Sequence, residues 1–383
     1  MCNFQLRVKW LSFLMLGIIS FTQCKKDETD TISGKIDYTT PELTNDGWEV
    51  ATLDTNNKTV RNMFVAVDNI KNRVYTEIHS LLIVHHGKLV FEAYYPGHNS
   101  DGEYISFTRD VPHEVQSASK SFRSALIGIA IDKGFISNVD AKLFSFFPEY
   151  DYLANDQKDK ITLEHVLTMS SGLEWDEWSY PYGDERNSLS SMYQLPYTNW
   201  AYYVLSQPVA YEPGSTWVYS TGASIMLNNI IIHSININFS SFVSQYYSNL
   251  IESSNLPGVG NPLGGSTIPR DMAKLGYIYL YNGKWKNTQI ISKDWVEKSI
   301  VKRFNLWNGE GYGYQWWLRS FTTKKNTYDA FYASGNGGQY IIVIKDLDLV
   351  IVFTGGNFNS SEGMQQPFTI TEDYVLPAFE AID

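Results

Sequence analysis

The densest apolar, β-branched runs of this chain lie near its two ends. "HSLLIVHHGKLVFEAYY" (residues 79–95) sets two such runs on either side of the turn "HHGK". "QYIIVIKDLDLVIVFTGG" (339–356) repeats the arrangement around "KDLD". Both patterns predict β-hairpins, and a single antiparallel sheet built from both ends of the chain is the economical way to pair them. Between the hairpins the apolar spacing turns helical. Phe122, Ala125, Leu126, Ile129 and Ala130 mark one face of an amphipathic helix that starts at Ser117, with Gly134 as its C-terminal cap. "ITLEHVLTMSSG" (161–172) predicts a helix capped by Thr162, with Glu164 in its first turn. "IPRDMAKLGYIYLYNG" (268–283) predicts one that begins on a first-turn proline and stops at Asn282-Gly283. "SKDWVEKSIVKR" (292–303) predicts one capped by Ser292. The stretch 174–216 has no clean period, and its Trp and Tyr content predicts an ordered loop. The expected fold class is α/β, of the α+β type. Its antiparallel sheet comes from both termini and is flanked by helices (about 46–140 and 300–383), with a mostly helical lobe inserted at about 141–299.

The N-terminus changes this picture. Arg7 and Lys9 precede "WLSFLMLGIISF", 12 uncharged and mostly apolar residues. That run is shorter than the roughly 20 residues that span a bilayer, and it has the length of a signal-peptide core. "FTQC" follows, so residues 1–23 are expected to be a signal peptide. Cys24 then resembles the lipidated first residue of a bacterial lipoprotein, and 24–45 its polar tether. Cys2 is the other cysteine and leaves with the signal, so no disulfide framework is expected. Loss of Arg7 and Lys9 moves the net charge from −11 to −13. A body this acidic argues against nucleic acid as a partner and leaves membrane attachment to the Cys24 lipid. The expected location is the bacterial cell envelope, on the periplasmic face or the cell surface.

Candidate chemistry centres on "EVQSASKSF" (114–122). A serine hydroxyl needs a base to attack at neutral pH. Lys120, three residues on, projects from the same helix face as Ser117; to act as the base it must be kept uncharged by burial or a neighbouring cation. On residues alone, Ser117 is either that nucleophile or a capping serine beside a surface lysine. A second S-x-x-K, Ser299 to Lys302, lies late in a predicted helix among Lys298, Lys302 and Arg303, and reads as a solvated face. Tyr219, in "EPGSTWVYSTGASIMLNNIII" (212–232), is either a core tyrosine or a proton carrier whose pKa Lys120 lowers. "YASGNGGQYIIVI" (332–344) runs from glycines into a strand, where a backbone N–H could join that of Ser117 around an oxyanion. Asp176 and Glu177 in "LEWDEW" are expected to be solvated; the sharper alternative is that one meets a substrate ammonium, with Trp175 and Trp178 as an apolar wall. His85 and His86, expected on opposite faces of a strand, do not suggest a metal site. The chain has no G-x-S-x-G, which argues against an α/β-hydrolase.

Taken in order, "SASK", "ITLEHVLTMSSGL", "EPGSTWVYS", "RDMAKLGYIYLYNGKW", "GYGYQWW" and "SGNGGQY" resemble the serine hydrolases related to class C β-lactamases and penicillin-binding proteins. The nearest likeness is to the branch with 6-aminohexanoate-dimer hydrolases and related esterases, over about residues 75–380. The resemblance implies Ser117 as the acylated nucleophile, Lys120 as its proton acceptor and Tyr219 as the shuttle to the leaving group. It places the site in the cleft between lobes, and it implies Asn336, next to Ser334 and Gly335, as the second oxyanion N–H. Two departures stand out. Thr221 occupies the place of the usual Asn of the second motif. "ASG" replaces the Lys-Thr-Gly or His-x-Gly of the third, so the cation that helps hold a β-lactam carboxylate is missing. The second departure argues against β-lactamase and D-Ala-D-Ala carboxypeptidase activity.

The expectation is therefore an envelope-anchored serine hydrolase. It would cleave small esters, amides or short peptides through an acyl-enzyme, with no cofactor. The rival expectation is a non-catalytic lipoprotein that senses or holds a ligand in the same cleft.

Overall fold

In the computed structural model, residues 36–253, 265–307 and 309–382 are described. The expected signal peptide and Cys24 lie outside them. Eight antiparallel strands form the main sheet: β1 (Ile78–His85), β2 (Lys88–Tyr94), β3 (Phe304–Asn305), β4 (Gly311–Tyr312), β5 (Trp317–Thr322), β6 (Thr327–Gly335), β7 (Gln339–Ile344) and β8 (Leu349–Gly355). Their order is β2-β1-β8-β7-β6-β5-β4-β3. The N-terminal hairpin therefore pairs directly with the last strand, with Leu82 opposite Val352 and Ile83 opposite Ile351. The β1–β2 turn uses His86 and Gly87 at φ 48° and 72°, the left-handed pair that suits a two-residue hairpin.

The period of two explains why these strands read as unbroken apolar runs. Leu82, Val84, Ile341, Val343, Val350 and Val352 face one core. Leu81, Ile83, Ile342, Ile344, Ile351 and Phe353 face a second. Both faces of the central strands are covered, so no position along them needs to be polar.

The second core is closed by helices from the two ends: α1 (Lys58–Lys71), and the C-terminal pair Ser361–Ile370 and Leu376–Phe379. The first core holds α2 (Ser119–Asp132), α3 (Leu163–Leu167), α4 (Ser188–Tyr193), α5 (Trp200–Ser206), α6 (Thr221–Ser234), α7 (Phe239–Tyr246), α8 (Pro269–Leu280) and α9 (Lys293–Ser299). Expected inside the helical lobe, α8 lies against the sheet instead. A Cβ at its Gly276 would overlap the side chain of Val350 on β8, so glycine is what allows that close approach. The sheet and the helices on it form one compact unit.

Three expectations need correction. The helix after Ser117 is not amphipathic: every residue of α2 from Ser119 to Ala130 is buried, including Lys120 and Arg123. A helix buried all round is a core helix. The helix at 161–172 stops at Leu167, because Met169 turns to φ 59°. His85 and His86 do not point apart: His86 leaves the strand at its positive φ, and the two rings lie 3.9 Å apart.

Candidate active site

Ser117 sits in a tight turn, Gln116–Ala118, that leads into α2. Backbone N–H groups in the first turn of a helix have no partner within it, so the N–H of Ser117 is available at this corner. One turn along, Lys120 Nζ lies 2.9 Å from Ser117 Oγ. Lys120 is 4% exposed. Burial holds its pKa down to about 7; the nearby Glu177 charge opposes that shift and the Arg123 charge adds to it. An amine with such a pKa is substantially uncharged at neutral pH and can accept a proton from the hydroxyl it touches.

Tyr219 reaches the same place from the residue pair before α6. Met169 holds it on both sides: Val218 N–H donates to the Met169 carbonyl (2.8 Å), and Ser220 N–H to its sulfur (3.3 Å). The left-handed turn that shortens α3 thus positions Tyr219. Ser117 is near enough to act on its phenol in the lowering sense, and Lys120 Nζ is 5.0 Å from its ring centre. The expected lowering of its pKa does not occur. Burial, with the Glu177 charge next, raises it well above the usual phenol value. The group is therefore a neutral phenol, suited to relaying a proton and not to carrying negative charge.

The third segment meets the Ser117 turn through Gly335. A Cβ there would overlap the carbonyl oxygen of Val115 and press on the N–H of Ala118. Glycine brings the end of β6 against the Ser117 turn, backbone to backbone. Asn336 is one residue past the end of the β6–β7 ladder and lines the cavity beside Ser117. Its side chain is tied to Asn359 by two hydrogen bonds of 2.9 and 2.8 Å. Ser334 faces Tyr340 across the ladder and does not line the cavity.

The cavity measures about 310 Å³ and is bordered by Ser117, Lys120, Arg123, Glu177, Tyr193 and Asn336, among others. Here the expectations for the "LEWDEW" loop are reversed. Asp176 is not in the cavity: its carboxylate accepts the N–H groups of Trp178 (3.2 Å) and Ser179 (2.9 Å) and so caps its own loop. Trp175 does not form a wall either, since its ring packs on Gly222 and its indole N–H donates to Glu177 (2.9 Å). Glu177, expected to be solvated, is 4% exposed and lines the cavity. Thr221 gives it both a backbone N–H (2.8 Å) and a hydroxyl (2.6 Å). The threonine in the Asn position thus binds a buried carboxylate at the N-terminus of α6, where negative charge is favoured. Trp178 stacks on Tyr219 at 4.8 Å and 19°.

Sequence reasoning missed Arg123, although its spacing of three from Lys120 was a usable signal. It also missed Gln315. Ser121 on α2 and Ser224 on α6 donate to the Gln315 carbonyl and side-chain oxygen (2.7 and 2.6 Å), while its amide donates to the carbonyl of Leu167 at the end of α3 (2.7 Å). This one residue of "GYGYQWW" fastens together the helices that carry Ser117, Lys120 and Tyr219. No helix among the described residues is long and apolar enough to cross a membrane.

Residues 73–235 match the β-lactamase family model. An uncharacterized protein of Alkalihalophilus pseudofirmus is 22% identical over 74% of this chain and 85% of its own length. A candidate 6-aminohexanoate-dimer hydrolase from Bacillus anthracis superposes with a TM-score of 0.66 at 21% identity, over 88% of each chain. A class C β-lactamase superposes with a TM-score of 0.62 at 15% identity, over 85% of this chain and 98% of the other. Residues 73–235 thus match the β-lactamase family model, and the chain has the β-lactamase-like fold.

Proposed function

We propose that the protein cleaves small esters or amides through an acyl-enzyme on Ser117. The observation that carries this reading is the buried Lys120 amine, 2.9 Å from the Ser117 hydroxyl with its pKa lowered to about 7. Uncharged Lys120 takes the hydroxyl proton as Oγ bonds to the substrate carbonyl carbon. The resulting oxyanion is held by the N–H groups of Ser117 and Asn336. Collapse breaks the bond to the leaving group, and the proton returns from Lys120 through the Tyr219 phenol to the departing oxygen or nitrogen. Water then attacks the acyl carbon, gives up a proton along the same path and releases the acid.

The rival reading, a binding protein without turnover, has no use for a hydroxyl hydrogen-bonded to an uncharged buried amine with a neutral phenol beside them. A fluorophosphonate probe and p-nitrophenyl acetate separate the two. Labelling and a burst in the wild type, both absent in Ser117→Ala, support the enzyme; an unlabelled wild type supports the binder. We place the protein in the cell envelope, held by a lipid on Cys24. Metabolic labelling with an alkyne fatty acid should mark the full-length chain and not Cys24→Ala.

A further inference from the structure

The cavity beside Ser117 takes in Lys120 and Asn336 but not Tyr219. The Tyr219 ring belongs instead to an aromatic surface. Trp178 stacks on it at 4.8 Å and 19°, and Trp317 lies 6.1 Å from it. Trp217 and Trp307 extend the surface, each 5.7 Å from Trp178 and 5.7 Å from one another. The tryptophans come from separate stretches of chain: the "LEWDEW" loop, the residues before α6, the turn after β3 and the start of β5. Trp307 is 74% exposed and Trp178 50%. A ring largely in water adds little to a core, whereas a contiguous apolar surface open to solvent marks a place where something binds. In the acyl-enzyme reading the acyl carbon stays on Ser117, and the leaving group departs toward the phenol that protonates it. The part of the substrate beside this surface is therefore the part that leaves.

We infer that Trp178, Trp217, Trp307 and Trp317 form the leaving-group subsite, and that the alcohol or amine it receives carries a flat aromatic ring. This rests on the acyl-enzyme reading above. Trp178 meets Trp217 at 50° and Trp307 at 90°, so the surface offers ring faces and ring edges together. An aromatic guest gains from both arrangements beyond the area it buries; a saturated ring of the same size gains only the area. The substrate class is therefore an ester or amide of an arylalkyl alcohol or amine. The bond from the acyl carbon to oxygen or nitrogen breaks, and the departing atom takes the Tyr219 proton, which Lys120 replaces. Water then supplies the hydroxyl of the released acid.

The test compares benzyl acetate with cyclohexylmethyl acetate, which share an acyl group and differ in the leaving ring. Each kcat/KM ratio is divided by the same ratio for hydroxide hydrolysis, which removes the intrinsic reactivity of the esters. The wild type should favour the benzyl ester about five- to tenfold. Trp178→Leu should bring the ratio close to unity, and Trp307→Ala should lower it. The ratio is taken within each variant, so a general loss from a displaced Tyr219 cancels. A second measurement needs only the wild type. During turnover of p-nitrophenyl acetate, benzyl alcohol should compete with water for the acyl-enzyme and form its acetate at lower concentration than cyclohexylmethanol does. A wild-type ratio of unity, a ratio that survives both substitutions, or equal acetylation of the two alcohols overturns the inference and leaves the hydrolase standing. No turnover of any ester and no fluorophosphonate label on Ser117 overturns both.

Discussion

The chain contains Ser-x-x-Lys twice, and the two copies come to opposite ends of their helices. At the first, the serine sits in the turn that leads into α2, and the lysine, in the first turn of α2, is buried against it at 2.9 Å. At the second, Ser299 closes α9. Its hydroxyl turns back on its own helix and donates to the carbonyl of Trp295 (2.7 Å), a habit of helical serines. Lys302 lies past the end of that helix, exposed, with Nζ 3.4 Å from the carbonyl of Gly309. The sequence expectation of a solvated face holds for Lys302 and fails for Ser299, which is fully buried. The lesson is that spacing makes a pair only while the helix continues between its members. Only the end with free N–H groups can add an oxyanion donor.

The contrast can be broken most sharply at the serines. Ser117→Ala should lower ester turnover by about 10⁴-fold or more, the scale seen when a nucleophile is removed, while Ser299→Ala leaves it unchanged. Equal losses in the two variants would dissolve the distinction. Tyr219→Phe keeps the ring against Trp178 and Lys120 but removes the proton relay. A loss of about 10²- to 10⁴-fold is expected, larger for amides than for activated p-nitrophenyl esters, whose leaving group needs no proton. Gly335→Ala forces β6 away from the Ser117 turn and should cost about 10²- to 10³-fold in kcat, the scale of one oxyanion donor, with Ser117 still present.

A smaller effect sharpens the comparison at the lysines. The first lysine must be uncharged to work, and its pKa is lowered to about 7. The rate of Ser117 acylation should therefore rise about tenfold per pH unit below that value and level off above it. A flat acylation profile between pH 5 and 8 would remove Lys120 as the base. Stability carries the same signature. Between about pH 7 and the ordinary lysine value the unfolded chain binds a proton at residue 120 that the folded chain does not. The folded state therefore gains stability as pH rises through that window, and Lys120→Met should lose that slope. Lys302→Ala should leave both profiles where they are. The smallest effect is in Ser299→Ala, which should destabilise by about 1 kcal/mol through its lost hydrogen bond, visible in urea midpoints and not in kcat.

What the sequence determined by itself was whatever repeats locally or in order. The two hairpins follow from apolar runs with turn residues between them, and the caps at Thr162, Ser292 and Gly134 from short-range chemistry. The closeness of Ser117 and Lys120 was legible because a motif of three or four residues keeps its shape within one turn of helix. Composition and spacing could not say which carboxylate of "LEWDEW" enters the cavity. Asp176 and Glu177 are adjacent, and the choice depends on Thr221 and Trp175 reaching one of them from elsewhere. Nor could they show that α2 is buried all round, because one apolar stripe looks the same whether its polar face meets water or another helix. That burial lowers the pKa of Lys120 and lines the cavity with Arg123. Both consequences come from excluding water around charged groups, and only the packed tertiary structure decides where water is excluded.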